Sequence, residues 1–296
     1  MPILSRTRSA CVAGLSLALL AGGQALAEAP YVEKGKTVTS RDGTRISFDR
    51  WGQGLPVIVV GGALSDRSGG DELARLLASK FTVISYDRRG RGASTDTRPY
   101  SVKREIEDIE ALIDSAGGSA YVYGKSSGAS LALQATAALQ GKVRKLALYE
   151  APFSDEEGAA REWREFRAKL DALLAADRRE KAITLFMKFV GAPDEAIAQM
   201  KTSPAWPGML AMAPTLAYDN ALLGADRSVP VGIAAKVKAD TLVMDGAASA
   251  GPLPFMRSTA DKLGKTIPGA QRLVVEGQGH DVSPKVLAPI LLKFFD

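Results

Sequence analysis

Tyr121-Val122-Tyr123-Gly124-Lys125-Ser126-Ser127-Gly128 is the stretch on which the reading of this chain turns. It begins in β-favouring residues, breaks into a G-x-S-x-G turn and continues into an alanine-rich run, 127–139, that reads as a helix. A serine at such a strand-to-helix junction must adopt strained backbone. Gly124 and Gly128 on either side lack the Cβ atoms that would obstruct so sharp a turn. The hydroxyl of Ser126 is then pushed clear of the sheet at a helix N-terminus, where the helix dipole favours developing negative charge. Gly124-Lys125-Ser126 also spells the end of a phosphate-binding loop, but that motif needs a glycine at 119, ahead of a loop. Position 119 is serine, and the expected strand occupies the place of the loop.

Strands and helices alternate around this turn. Segments 37–39 and 44–51 read as antiparallel strands joined through Arg41-Asp42-Gly43, and 56–60 is an apolar run suited to a strand buried on both faces. A helix over 71–79 precedes a strand over 81–86. A helix over 102–115 precedes the strand before Ser126, and 145–149 forms the next strand. From 152 to 237 the alternation stops, and successive helical stretches break at Gly191-Ala192-Pro193, Ser203-Pro204 and Trp206-Pro207. The alternation resumes with a strand over 241–245, a helix over 254–265, a strand over 272–276 and a final helix reaching Phe295. The pattern predicts an α/β fold whose mostly parallel sheet is built from right-handed crossovers.

The sole histidine, His280, lies in Gly277-Gln278-Gly279-His280-Asp281, between the last strand and the last helix. Taken with the serine turn, this arrangement resembles the α/β-hydrolase superfamily, in its esterase, haloperoxidase-like and lactonase branch, over most of the chain after residue 36. The resemblance implies an α/β-hydrolase fold: a mostly parallel twisted sheet with helices on both faces and an inserted helical cap. Core segments would be 28–151 and 238–296, with the cap at 152–237. It also implies Ser126 as nucleophile and His280 as base. Relatives carry a His-Gly-x loop whose third residue donates a backbone N–H to the oxyanion hole. Here Gly61-Gly62-Ala63 stands in that place, with glycine for histidine, and because the donor is main chain the role falls to Ala63 together with the N–H of Ser127.

The acid that orients the base departs from the commonest pattern. Relatives place it three residues after the glycine closing the next-to-last strand; that glycine is Gly246, and the position holds Ser249. A second arrangement in the superfamily uses the end of the strand after the nucleophile helix, where Glu150 stands. Glu150 is therefore favoured, Asp245 is the alternative, and a site without a working acid is the third possibility. Within the cap, Trp206, Met209, Met212 and Tyr218 are the candidate substrate contacts. A serine at 126 argues against epoxide hydrolases and haloalkane dehalogenases, whose chemistry needs a carboxylate nucleophile there.

Arg6 and Arg8, an apolar run from about residue 10 to 21, and Ala25-Leu26-Ala27 form the pattern of a secretory signal peptide over 1–27. The run is short for a membrane span. Cleavage after Ala27 would remove the only cysteine, Cys11, and the formal charge would fall from +5 to a slight excess of 36 basic over 33 acidic residues. Neither disulfide chemistry nor a cysteine nucleophile is expected, and so mild a charge says little about partners. The basic cluster Arg88-Arg89-Gly90-Arg91 lacks interleaved aromatics and reads as the brace of a turn, so no nucleic-acid partner is expected. One histidine and no mature cysteine argue against a metal site, and no cofactor is called for. The sequence thus points to an exported serine hydrolase, periplasmic or secreted, free of the membrane after cleavage and acting on a small or medium carboxylic ester or lactone. A cofactor-free perhydrolase of the haloperoxidase-like kind and a non-catalytic binding protein of the same fold are the alternatives. Nothing in the sequence speaks to oligomeric state.

Overall fold

In the computed structural model, the residues described are 32–251 and 253–296. The signal-peptide reading of 1–27 lies outside them. Eight strands form one sheet: β1 (Val32–Thr39), β2 (Arg45–Trp51), β3 (Leu55–Val60), β4 (Phe81–Tyr86), β5 (Ala120–Lys125), β6 (Val143–Tyr149), β7 (Asp240–Gly246) and β8 (Gln271–Val275). Their spatial order is β1-β2-β4-β3-β5-β6-β7-β8. β1 pairs antiparallel with β2, and β2 antiparallel with β4; all other pairings are parallel.

Strand alternation divides the core in two. Ile58, Val60, Ile84, Val122, Leu146, Leu148 and Val243 face one side, which is covered by the helices Val102–Ser115, Ser127–Ala138 and Phe255–Thr266. Val57, Val59, Val83, Tyr121, Tyr123, Tyr149 and Met244 face the other, covered by Asp71–Leu77 and Pro284–Phe295. Burial on both faces explains why the central strands read as unbroken apolar runs. β1 starts earlier than its sequence suggests because VEKGKTVT is a polar, largely exposed edge strand with an irregular register between Glu33 and Lys36.

Between β6 and β7 the chain is helical, with Ala159–Ala175, Arg179–Phe189, Asp194–Thr202, Trp206–Met212, Leu216–Leu222 and Val231–Ala234 in succession. The insertion therefore leaves the sheet at the C-terminal end of β6 and re-enters it at the N-terminal end of the neighbouring parallel strand β7. Among the described residues, no helix is long and apolar enough to cross a membrane.

The parallel arrangement sets Ser126 after β5 and Glu150 after the adjacent β6, with His280 in the loop that follows β8. Close backbone packing fixes the first of these. A Cβ on Gly128 would lie 2.2 Å from the Val60 carbonyl oxygen and 2.6 Å from that of Gly61, and one on Gly124 would lie 2.4 Å from the Gly128 oxygen. Both glycines are needed for approach distance, since neither has positive φ. Gly128→Ala is expected to cost at least ~2 kcal/mol in urea unfolding, because the obstructing atoms are backbone. Gly208→Ala, in a helix with open space around its Cα, is expected to be neutral or slightly stabilising in the same assay.

Candidate active site

Ser126 sits at φ 57°, ψ −131°, between the end of β5 and the helix Ser127–Ala138. Its N–H donates to the Tyr149 carbonyl at 2.9 Å, which anchors the turn to the neighbouring strand. The side chains of Ser126 and His280 line one cavity, together with Ala63 and Ser127. Glu150 lies behind the histidine. Its Oε2 is 2.7 Å from His280 Nδ1, and its Oε1 accepts the Gly246 N–H at 2.8 Å. Glu150 is itself held in positive φ, with its N–H donating to Met244 O.

Burial works to raise the Glu150 pKa, but the contact with His280, the proximity of Ser249 and the Gly246 N–H outweigh it and hold the carboxyl below its ordinary value. Ser249 Oγ is buried without a hydrogen bond of regular geometry, so His280 and Gly246 are the partners that fix this carboxylate. With Nδ1 committed to Glu150, Nε2 is the ring nitrogen left for chemistry in the cavity.

Asp245 is placed differently. It lies within β7, buried, and its two oxygens accept from Arg257 Nε at 2.8 Å and from Arg272 Nη2. Strand alternation turns it to the sheet face opposite Met244, whereas Glu150 falls just beyond its strand, at the rim where the histidine loop arrives. The structure thus brings Ser126, His280 and Glu150 to one place and leaves Asp245 as a brace between two arginines.

The two backbone donors are backed by a charged cluster that the sequence did not reveal. Arg91 Nη1 donates to the Gly62 carbonyl at 2.5 Å. Because the Gly62–Ala63 peptide is trans, its C=O and N–H point in opposite directions, so this bond turns the Ala63 N–H away from Arg91. Arg91 Nη2 is bound by Asp219 at 2.9 and 2.8 Å, and Asp219 Oδ1 also accepts from Ser127 Oγ at 2.8 Å and Arg88 Nη1 at 2.7 Å. Glu105 closes the group by accepting from Arg88 Nε and Nη2, both at 2.7 Å. Ser127 opens its helix, so its N–H has no intrahelical partner. The Arg88–Arg91 loop is therefore a brace, as expected, but a buried one that joins the insertion to both donors.

The four insertion residues singled out from sequence do not line the cavity. Trp206 and Met212 are buried in packing, and Met209 is half-buried against the same core. Tyr218 stacks on Tyr100 at 3.8 Å between ring centroids and donates to Asp96 at 2.6 Å, which clasps the insertion to the loop before residue 102. Apolar spacing identified the buried face of these short helices, not the face turned to the cavity. The insertion residues that do line it include Trp163, Phe186, Phe189, Asp219, Asn220 and Arg227. Asp219 and Asn220 carried a usable signal, a polar pair inside the apolar run of Leu216–Leu222.

Residues 57–289 match the alpha/beta hydrolase family. The chain belongs to that family. It is 49% identical to an alpha/beta hydrolase from Sphaerobacter thermophilus DSM 20745 of known crystal structure, covering 88% of this chain and all of that one with a TM-score of 0.81. Among curated proteins, this hydrolase is 31% identical over 121 residues to a non-heme chloroperoxidase of Streptomyces lividans, covering 39% of this chain and 44% of that protein. It is 40% identical over 94 residues to the non-heme chloroperoxidase CPO-A1 of Kitasatospora aureofaciens, covering 27% and 34% respectively. The match thus spans less than half the length of these curated relatives.

The charged cluster has a pH signature. Burial acts to raise the Asp219 pKa, but Arg91, Arg88 and the Ser127 hydroxyl together hold it below its ordinary value. A depressed folded pKa gives stability that is fully present above the unfolded-chain value, about 3.9, and is lost as pH falls through the lower folded value. Asp219→Asn is expected to cost about 3–5 kcal/mol at pH 7, because it strips charge from two buried arginines. Thermal unfolding from pH 7 to 2 should show the gap from the wild type narrowing only below about pH 4.

Proposed function

We propose that this alpha/beta hydrolase is an exported serine hydrolase that cleaves a small or medium carboxylic ester or lactone through an acyl-enzyme. The observation that carries the reading is the 2.7 Å contact between His280 Nδ1 and Glu150 Oε2 at a cavity that also holds Ser126 in a strained turn. In this mechanism Nε2 of His280 takes the Ser126 proton as Oγ attacks the carbonyl carbon. Glu150 keeps the imidazole in the required tautomer and balances the imidazolium charge. The N–H groups of Ala63 and Ser127 hold the oxyanion. His280 then protonates the leaving alkoxide, and a water molecule deprotonated by the same nitrogen attacks the acyl carbon to release the acid and restore Ser126. The helical insertion, 152–237, acts as the cap that screens the cavity from solvent. Export rests on the N-terminal pattern of basic residues, apolar run and Ala25-Leu26-Ala27.

The similarity to non-heme chloroperoxidases supports a second reading on the same residues. Hydrogen peroxide would replace water in the attack on the acyl-enzyme and release a peracid, and the peracid would oxidise halide. Ser126-dependent, peroxide-dependent bromination of a dye in acetate buffer separates this from simple hydrolysis.

Steady-state hydrolysis of p-nitrophenyl esters tests the assignment of the acid. Glu150→Gln is expected to lower kcat by about 10³–10⁴ with little change in KM. Asp245→Asn is expected to retain kcat within about threefold while lowering the melting temperature, since it removes the buried carboxylate charge that Arg257 and Arg272 share. A fast Glu150→Gln enzyme beside an inactive Asp245→Asn enzyme would reverse the assignment.

A further inference from the structure

Among the described residues, the buried cations are, with one exception, neutralised by carboxylates. Arg88 and Arg91 are matched by Glu105 and Asp219, and Arg89 by Asp108 and Asp42. The exception is Arg227. It is 8% exposed, lines the cavity that holds Ser126 and His280, and makes no side-chain hydrogen bond or ion pair among the described residues. Its guanidinium is boxed by the rings of Phe255, Phe189 and Trp163, at 4.6, 5.3 and 5.8 Å from their centroids. These rings offset part of the desolvation but supply no acceptor for its N–H groups. Burial depresses its basicity, and the opposing influence comes from Glu162, an exposed residue that is not within ion-pair distance. A guanidinium stays protonated even so.

Two further observations point the same way. Arg227 has φ 60°, a left-handed conformation that costs a non-glycine residue energy, and such strain gathers at ligand sites. Asn220, 4% exposed and lining the same cavity, has an Nδ2 with no hydrogen-bond partner. Both unmet groups are donors. Asp219, the carboxylate beside them, has its charge cancelled by Arg88 and Arg91. The rest of the wall is mostly aromatic and aliphatic.

We propose that Arg227 and Asn220 form an anion subsite, so that the substrate is an ester or lactone carrying a free carboxylate. The assignment rests on the serine-hydrolase reading and names the substrate class for it. A planar carboxylate matches the guanidinium fork and leaves an oxygen for the Asn220 amide. It also balances the Arg227 charge, which a phosphate dianion would exceed. The acyl portion of the substrate would thus be a dicarboxylic half-ester or the corresponding carboxy-lactone, with one carbonyl at Ser126 and the second carboxylate at Arg227.

The test compares mono-p-nitrophenyl esters of glutaric, adipic and pimelic acids with neutral p-nitrophenyl esters of the same chain lengths. Wild-type kcat/KM for the best carboxylate ester is expected to exceed that of its neutral counterpart by at least about tenfold, and Arg227→Met to bring the ratio to one or below. Arg227→Lys, which keeps charge but loses the planar fork, should retain an intermediate ratio. A wild-type enzyme that prefers every neutral ester, or a ratio that folded Arg227→Met leaves unchanged, would overturn the subsite while leaving the hydrolase reading intact. Calorimetric titration of Ser126→Ala with monomethyl adipate and dimethyl adipate decides the subsite without turnover. The monoanion is expected to bind at least about tenfold more tightly, and equal binding would reject the subsite. Tight monoanion binding with no ester cleaved by the wild type would uphold the subsite and reject the hydrolase reading.

Discussion

Asp219 is the constraint on which the site's architecture depends. It sits on the helix Leu216–Leu222 of the insertion, yet its carboxylate is bound by Arg88 and Arg91 from the loop after β4 and by the hydroxyl of Ser127, the first residue of the helix behind the serine turn. Arg91 extends the connection to the Gly62 carbonyl and so sets the direction of the Ala63 N–H. One buried anion therefore ties the insertion, the sheet rim and both backbone donors into a single unit. Such a cluster contributes little net stability compared with a well-packed apolar alternative, so its value lies in geometry. It holds the Gly62–Ala63 peptide and Ser127 in place, which is what the proposed oxyanion role of their N–H groups requires.

The same charge logic separates the two polar features of the cavity. Around Asp219 positive and negative groups balance, and every oxygen of the pair Asp219 and Glu105 is bound. Around Arg227 they do not, and the aromatic box leaves the guanidinium without an acceptor. Backbone strain follows the same map. Of the five described non-glycine residues with positive φ, Ser126 and Arg227 line the cavity, Glu150 holds its histidine, Leu64 follows Ala63, and only Asp177 lies elsewhere. The balanced cluster is a scaffold, and the unbalanced residue is the one poised for a ligand.

Much of the framework was legible from local pattern. The central strands are buried on both faces and so appear as apolar runs, and the serine turn carries its own glycine signature. His280 is unambiguous as the sole histidine of the chain. Glu150 was favoured from sequence with Asp245 as the alternative, because placing either beside the histidine depends on which carboxylate escapes its strand and reaches the rim. Asp245 remains inside β7 and is claimed by Arg257 and Arg272. The insertion was least legible. Composition does not distinguish Trp206, which packs in the core, from Trp163, which lines the cavity. The roles of Arg227 and Asp219 depend on partners distant in sequence, such as Trp163 and Arg91.

The central claim is that Ser126 is an activated nucleophile. Intact-mass analysis of the folded protein after exposure to a small fluorophosphonate, with Ser126→Ala alongside, addresses it most directly. A single adduct that maps to Ser126 and is absent from the variant is the expected result. Folded wild-type protein that takes up no adduct would contradict the account and leave a ligand-binding member of the family in place of an enzyme.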